Sequence, residues 1–215
     1  MRPVIQLALD FVDLNRAVKT AEKALMGGVD WFEAGTPLIK SEGLQSVREL
    51  RRLFPGHKVV ADMKIMDAGR IEVEAAAKAG ADIVDVLGAA SDATIRESVQ
   101  AARNYGTRIV ADLIAVEDPV SRAIALEKIG VDFITVHCAI DEQMEGKDPF
   151  DTLRQVAAAV SVPVGVAGGI NSETAPMAIE AGASIVVVGG AISKSVDPSD
   201  AASVIKRAME NKTPI

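Results

Sequence analysis

The sequence predicts a single (β/α)8 barrel over residues 1–215, and two observations carry this prediction. A glycine followed by a β-rich run recurs about every fifty residues, at Gly28, Gly80, Gly130 and Gly182. Glycine commonly ends a helix in the left-handed conformation, and a repeat of about this length holds two strands and two helices. The chain is also 49% hydrophobic but only 3% aromatic, which suits aliphatic strands that are covered on both faces.

Eight strands are predicted: one after each of these four glycines, one near each of the three midpoints between them, and one before Gly28. The midway runs at 59–62 and 109–112 share the pattern Val/Ile-Val-Ala-Asp, which supports the repeat. The predicted strands cover residues 4–9, 30–34, 58–63, 82–87, 108–114, 132–137, 163–167 and 185–189.

A helix is predicted after every strand, where apolar residues recur with helical spacing. The predicted helices cover residues 14–26, 43–53, 69–79, 91–104, 118–129, 149–160, 172–181 and 198–210. A doubly wound open sheet is the alternative architecture, but eight near-equal βα units favour closure into a barrel.

Charge and composition argue against several classes of partner. The net charge is −7 and the pI is about 5.0, without a basic stripe, so neither nucleic acid nor an anionic membrane is expected. The first residues do not resemble a signal peptide, no apolar run reaches membrane-spanning length, and the single cysteine, Cys138, can form no intrachain disulfide. We expect a cytoplasmic protein. A phosphorylated small molecule stays possible, because backbone amides can bind phosphate.

The segment from Asp62 to Asp67 carries the strongest chemical signal. Asp62 and Lys64 end an apolar strand, and period-two alternation predicts that they face the same way. Unpaired buried charges are costly in a core, whereas an active site needs fixed charges in a partly dry place. A simple ion pair at the strand end is the alternative interpretation.

Further polar residues follow the other strands, and the carboxyl ends of barrel strands are where such folds hold their active sites. The candidates are Asp10, Glu33, Asp62, Lys64, Asp67, Asp112 and His137. Glu33 and Asp62 lie on adjacent strands and are candidate ligands of Mg²⁺, which favours one or two carboxylates. The alternative is that one of the two carboxylates only pairs with Lys64. For Glu33 the two interpretations are equally good. His137 is a candidate for proton transfer. Asp85 lies inside an apolar strand, and the sequence provides no role for it.

Two glycine pairs, Gly168-Gly169 and Gly189-Gly190, follow the seventh and eighth predicted strands. This is the position at which barrels of this class commonly bind phosphate, and glycine lets the backbone approach an anion closely. Ordinary turn glycines are the alternative, but two pairs at these two strands favour a phosphate site.

The whole chain resembles the 3-hexulose-6-phosphate synthases of the orotidine-monophosphate decarboxylase suprafamily. The motif from Asp62 to Asp67 marks only the suprafamily, while other segments make the resemblance more specific. These are Gly35-Thr36-Pro37-Leu38-Ile39-Lys40, Val86-Leu87-Gly88, Asp112-Leu113-Ile114, His137 with Asp141-Glu142-Gln143, Val166-Ala167-Gly168-Gly169 and Gly189-Gly190-Ala191-Ile192.

The resemblance implies an aldol reaction of formaldehyde with ribulose 5-phosphate that depends on Mg²⁺, with Mn²⁺ as a possible substitute. It implies that Glu33 and Asp62 hold the metal, that Lys64 stabilises enediolate charge and that Asp10 orients Lys64. It also implies His137 as the base at substrate C1. The remaining implied roles are contact of Asp112 with sugar hydroxyls, phosphate binding by the glycine pairs, and a homodimer in which Asp67 enters the partner's active site.

Two alternatives stay open. The first is a 3-keto-L-gulonate-6-phosphate decarboxylase, but those enzymes typically carry arginines where this chain has Ile140 and Gly190. The second is a non-catalytic sugar-phosphate-binding barrel, which the complete set of charged residues disfavours. Orotidine-monophosphate decarboxylase itself uses no metal and is less similar.

Overall fold

The computed structural model describes residues 2–210, and these form a closed barrel of eight parallel strands. Each strand pairs with the next, and closure is made by β1 with β8, where Val4 lies opposite Ile185. This pairing excludes the open sheet and confirms the predicted (β/α)8 barrel. The strands are β1 Val4–Leu9, β2 Trp31–Ala34, β3 Lys58–Ile65, β4 Ile83–Leu87, β5 Arg108–Asp112, β6 Phe133–His137, β7 Val164–Ala167 and β8 Ile185–Val188.

Eleven helices surround the strands in the described range. They are α1 Leu14–Met26, α2 Thr36–Glu42, α3 Gln45–Leu53, α4 Gly69–Lys78, α5 Asp92–Tyr105, α6 Pro119–Ile129, α7 Ile140–Met144, α8 Phe150–Ala159, α9 Thr174–Glu180, α10 Gly190–Ser193 and α11 Pro198–Glu210. The eight predicted helices are present, whereas α2, α7 and α10 were not predicted. These three have only 7, 5 and 4 residues, which is too short for helical periodicity to be recognised.

The repeated Gly-x-Asp segments tie neighbouring strands together at the amino end of the barrel. In three repeats the aspartate side chain accepts a hydrogen bond from a backbone N–H of the preceding strand. The bonds run from Ile5 N to Asp30 Oδ2 (3.0 Å), from Val59 N to Asp82 Oδ2 (2.7 Å) and from Ile109 N to Asp132 Oδ2 (2.9 Å). The repeat thus closes the end of the barrel opposite the predicted site.

Strand β3 departs from regular geometry at the residues that were predicted to be catalytic. The segment from Ala61 to Ile65 lies opposite Val84 to Val86 of β4, so β3 bulges there. Lys64 has a φ of +49°, which is rare for a residue with a side chain. Asp62 and Lys64 do face the same cavity, as predicted, but a bulged backbone rather than regular alternation brings them together.

Apolar residues fill both sides of the strands. A large cluster lies between the barrel and its helices, and a smaller one fills the barrel interior around Val60, Val110 and Phe133. Cys138 is free, and it is buried. Among residues 2–210, none of the helices is long and apolar enough to cross a membrane.

Candidate active site

A cavity of about 620 Å³ opens at the carboxyl ends of the strands. Most of the predicted site residues line it together: Asp10, Glu33, Asp62, Lys64, Asp112, His137, Gly168, Gly169, Gly189 and Gly190. Asp67 does not line it, and its carboxylate accepts a hydrogen bond from the N–H of Ala68 at 2.7 Å. The structure therefore brings together every predicted site residue except one.

Asp62 is held by the loop that follows β2. Its carboxylate accepts hydrogen bonds from the backbone N–H of Thr36 (3.1 Å) and from the Thr36 hydroxyl (2.7 Å). Thr36 begins α2, so an N–H group at the helix start is satisfied by a carboxylate from the next strand. Thr36 was not predicted as a site residue, although it lies in the Gly-Thr-Pro segment that carried the resemblance.

Lys64 lies between two carboxylates. Its Nζ is 2.5 Å from Asp62 Oδ1 and 2.8 Å from Asp112 Oδ2. Burial alone would lower the pKa of Lys64, but the carboxylates of Asp85, Asp62 and Asp112 outweigh burial and raise it above the usual value. Lys64 is therefore a fixed cation at neutral pH.

Asp112 connects Lys64 to His137. It is 1% exposed, and its Oδ2 is 2.7 Å from His137 Nδ1, while Oδ1 accepts the N–H of Ile114 at 2.8 Å. Burial opposes ionisation, but His137 and Lys64 lower the pKa of Asp112 to about 2. Since both carboxylate oxygens are occupied by protein donors, contact of Asp112 with a sugar hydroxyl stays a prediction.

Glu33 is buried next to other acidic groups. It accepts a hydrogen bond from Gln6 Nε2, which was not predicted, and its pKa is raised well above the usual value by burial and by the charges of Asp62 and Asp10. Among residues 2–210 no group of three potential metal ligands is found. Two carboxylates that repel each other in a cavity are nevertheless a donor set that suits Mg²⁺, which completes its coordination with water and substrate oxygens.

Asp10 lies against glycine backbone on two sides. A Cβ atom on Gly35 would lie 2.2 Å from Asp10 Oδ1, and one on Gly189 would lie 3.4 Å from Oδ2. The absence of a side chain at Gly35 is thus required for Asp10 to lie there. Withdrawal from water and the charge of Asp62 raise the pKa of Asp10. Its predicted role of orienting Lys64 stays a prediction, since Lys64 forms its ion pairs with Asp62 and Asp112.

The glycine pair after β7 has a backbone that other residues rarely adopt. Gly168 and Gly169 have φ values of +103° and +70°, and a Cβ atom on Gly168 would lie 2.3 Å from the carbonyl oxygen of Cys138. The next residues turn into α9, where Asn171 Oδ1 accepts the N–H groups of Glu173 (2.8 Å) and Thr174 (3.1 Å). Glycine is therefore required at position 168 by geometry, and both glycines lie in the cavity lining.

Three further cavity residues were not assigned a role from the sequence: Asp85, Gln143 and Lys194. Asp85 is 6% exposed, and its buried Oδ1 has no hydrogen-bond partner among the described residues. Gln143 donates from Nε2 to the carbonyl oxygen of Cys138 at 2.9 Å and lies against the Gly168 loop. No sequence periodicity identifies these three as site residues, because loop conformation and barrel closure decide where their side chains lie.

Comparison with known proteins is consistent with this geometry. The model of the orotidine 5'-phosphate decarboxylase / HUMPS family matches residues 3–205. The chain is 42% identical to a 3-hexulose-6-phosphate synthase of Bacillus subtilis strain 168, over 94% of this chain and 97% of that protein. The crystal structure of 3-hexulose-6-phosphate synthase from Salmonella typhimurium is 35% identical, with a TM-score of 0.94 over 98% of this chain and 100% of that one.

The rival family is more distant. The crystal structure of 3-keto-L-gulonate-6-phosphate decarboxylase from Vibrio cholerae is 28% identical, with a TM-score of 0.86 and full coverage of both chains. A match to the family model over most of the chain, together with 42% identity to a synthase over nearly its full length, settles the relationship. The chain belongs to the orotidine 5'-phosphate decarboxylase / HUMPS family, on the side of its 3-hexulose-6-phosphate synthases.

Proposed function

We propose that the chain acts as a 3-hexulose-6-phosphate synthase. In this reaction formaldehyde adds to C1 of D-ribulose 5-phosphate to form D-arabino-hex-3-ulose 6-phosphate, and the same site supports the reverse cleavage. The proposal depends above all on the hydrogen-bonded chain from Asp62 through Lys64 and Asp112 to His137 on the cavity wall.

His137 is proposed as the base that removes a proton from C1. Its Nδ1 faces Asp112 at 2.7 Å, so Nε2 is the ring nitrogen left for the substrate. An ionised aspartate beside Nδ1 stabilises the imidazolium that forms when Nε2 accepts the proton. His137 then returns this proton to the formaldehyde oxygen once C1 has formed the new carbon–carbon bond, so that the reaction releases no proton.

Lys64 is proposed to stabilise the enediolate that forms when C1 loses its proton. Its ammonium is fixed by Asp62 and Asp112 in a mostly buried position. A charge that is already oriented needs no reorganisation as negative charge develops on the substrate oxygens, and such preorganised electrostatics is usually a large part of catalysis.

We propose Mg²⁺, with Mn²⁺ as a substitute, as the cofactor, and Glu33 and Asp62 as the side chains that hold it. The support is the excess of carboxylates at the cavity, where burial and the charge of Asp62 raise the pKa values of Asp10 and Glu33. When bound, such a cation acts as a Lewis acid that polarises a substrate oxygen.

The glycine pairs are proposed to bind the phosphate through backbone N–H groups. The positive φ values of Gly168 and Gly169 and the position of both glycine pairs in the cavity lining suit the close approach of an anion. The decarboxylase alternative has less support, since identity to the synthases is higher than to the decarboxylase, and Ile140 and Gly190 stand where that family typically has arginine.

We propose that the chain forms a homodimer with shared active sites. Asp67 is exposed and lies outside the cavity of its own subunit, which suits a role in the site of a partner. Two exposed apolar side chains flank it, Met66 (55% exposed) and Ile71 (70% exposed). Apolar surface of this kind is common where subunits associate. A cytoplasmic location is also proposed, since the one free cysteine fits a reducing compartment.

The direct test mixes purified protein with ribulose 5-phosphate, formaldehyde and Mg²⁺ and follows the loss of formaldehyde. We expect loss that EDTA stops and that added Mg²⁺ restores. Release of carbon dioxide from 3-keto-L-gulonate 6-phosphate without loss of formaldehyde would assign the chain to the decarboxylases. Inactivity in both assays would favour the non-catalytic binding barrel.

A further inference from the structure

Lys194 lies on the cavity wall beside the glycine pair that follows β8. It comes directly after α10 and lines the cavity together with Gly189 and Gly190. A Cβ atom on Gly190 would lie 3.7 Å from Lys194 Cδ and 3.8 Å from Cε. The aliphatic part of Lys194 therefore lies over Gly190, and its ammonium group is within reach of anything bound at this loop.

The charge of Lys194 has no ion-pair partner within the described part of the chain. Of the residues that the structure describes, two lysines and no arginine line the cavity, and Lys64 already pairs with two carboxylates. The backbone N–H of Lys194 bonds to the carbonyl oxygen of Gly190, but its ammonium group forms no hydrogen bond or ion pair with any of residues 2–210, although its positive charge opposes the rise in the pKa of Asp10. It is the cavity's cation that is free to meet a ligand.

The rest of the cavity makes such a cation necessary for an anionic ligand. Five acidic side chains line it: Asp10, Glu33, Asp62, Asp85 and Asp112. A phosphate dianion that enters this field is repelled, because like charges in a partly dry cavity interact strongly. Backbone N–H groups supply only partial positive charge, so an unpaired ammonium at the glycine end of the cavity offsets the repulsion where the phosphate is proposed to bind.

We propose that Lys194 forms an ion pair with the phosphate of the bound sugar and so selects phosphorylated over unphosphorylated substrates. This inference rests on the proposed function, because it takes a sugar phosphate as the ligand. Its content is new for the site: the phosphate is held by a side-chain cation as well as by loop backbone. Lys194 is a binding residue here and takes no part in bond making or proton transfer.

The test measures binding directly. Calorimetric titration of ribulose 5-phosphate into the protein in Mg²⁺ buffer without formaldehyde should give a Kd about tenfold weaker for Lys194→Ala, the size expected for one charge-assisted contact. Lys194→Arg should stay within about threefold of the unaltered protein, because it keeps the charge. With inorganic phosphate as a second probe, affinity should again fall strongly in Lys194→Ala and little in Lys194→Arg. In turnover, KM should rise and kcat should change little.

Lys128→Ala is the matched control, since Lys128 is an exposed lysine on α6 and its loss changes the net charge equally. Equal Kd values for Lys194→Ala and Lys128→Ala would overturn the inference, and so would a failure of the unaltered protein to bind either probe. If phosphate binding depends on Lys194 but formaldehyde is not consumed, the proposed function fails and the inference stands. If formaldehyde is consumed but Lys194→Ala leaves the Kd unchanged, the proposed function stands and the inference fails.

Discussion

Asp112 makes the chemistry of the site depend on a single buried carboxylate. It accepts from His137 and from Lys64 at once, and the two donors keep it ionised although it is 1% exposed. The base and the cation of the proposed reaction are therefore oriented by one side chain. This arrangement keeps the spacing between them independent of the loops around the cavity mouth.

Replacing His137 with Gln should abolish the exchange of the C1 proton of ribulose 5-phosphate with solvent. Loss of a general base typically lowers the rate by about 10²–10⁴-fold. Exchange is followed by NMR in deuterium oxide without formaldehyde, with His57→Gln as the control because His57 lies in the turn before β3, at the amino end of the barrel. Persistent exchange in His137→Gln would show that another group is the base.

Asp85→Asn should raise stability, and the gain should grow with pH. Burial raises the pKa of Asp85 well above its usual value, so the folded state holds the proton more tightly than the unfolded chain, whose aspartates titrate near about 3.9. The contribution of Asp85 to stability is thus full below about pH 4 and is lost as pH rises towards the folded pKa.

Urea unfolding of both proteins at several pH values between about 4 and 8 tests this expectation. The gain of Asp85→Asn should be small at the acid end and reach about 1 kcal/mol or more at the alkaline end, since one pKa unit corresponds to about 1.4 kcal/mol. Asp200→Asn, at an exposed position of α11, controls for the change in net charge. A gain that is equal at every pH would contradict the assignment of a raised pKa.

Among the helices and strands, the two ends of the barrel differ in function: the amino end stabilises the fold and the carboxyl end forms the cavity. The amino ends of the strands carry the Gly-x-Asp segments, whose aspartates bond to the N–H groups of neighbouring strands. The carboxyl ends carry the cavity and the short helices α2, α7 and α10. Stability and chemistry are thus separated along the strands, as is usual in this fold.

Asp82→Ala should therefore lower stability without lowering kcat. Asp82 accepts from Val59 N and pairs with Arg51 of α3, so its loss leaves donors of both β3 and α3 unpaired. We expect a cost of about 2 kcal/mol in urea unfolding, and about 1 kcal/mol for Asp132→Ala, whose side chain is more exposed. A fall in kcat at unchanged stability would contradict this separation of the two ends.

For the whole molecule, the position of Asp67 predicts a result that only a shared site can produce. Asp67→Ala and His137→Gln subunits should each be inactive alone. After co-expression, mixed dimers should contain one site with both residues intact, which restores about a quarter of the unaltered activity when subunits mix at random. Sedimentation identifies the dimer, and formaldehyde loss gives the activity. No recovery in dimers shown to be mixed would place Asp67 in the site of its own subunit.

The sequence by itself determined the barrel, the strand ends and most of the charged residues that line the cavity. The repeat near fifty residues and the local periodicities are properties of short segments, so the eight strands could be located within a residue or two. Charged residues at strand ends were also recognisable, because strand ends in a barrel converge on one face.

The tertiary structure alone decided how these residues meet. The bulge that places Lys64 at a φ of +49° depends on pairing with β4, and the bond between Asp112 and His137 joins two strands. That Asp85 Oδ1 and the Lys194 ammonium have no partner among residues 2–210 is likewise known only once their neighbours are in place. Contacts between distant segments form only when the barrel closes, so a pattern confined to one segment cannot predict them.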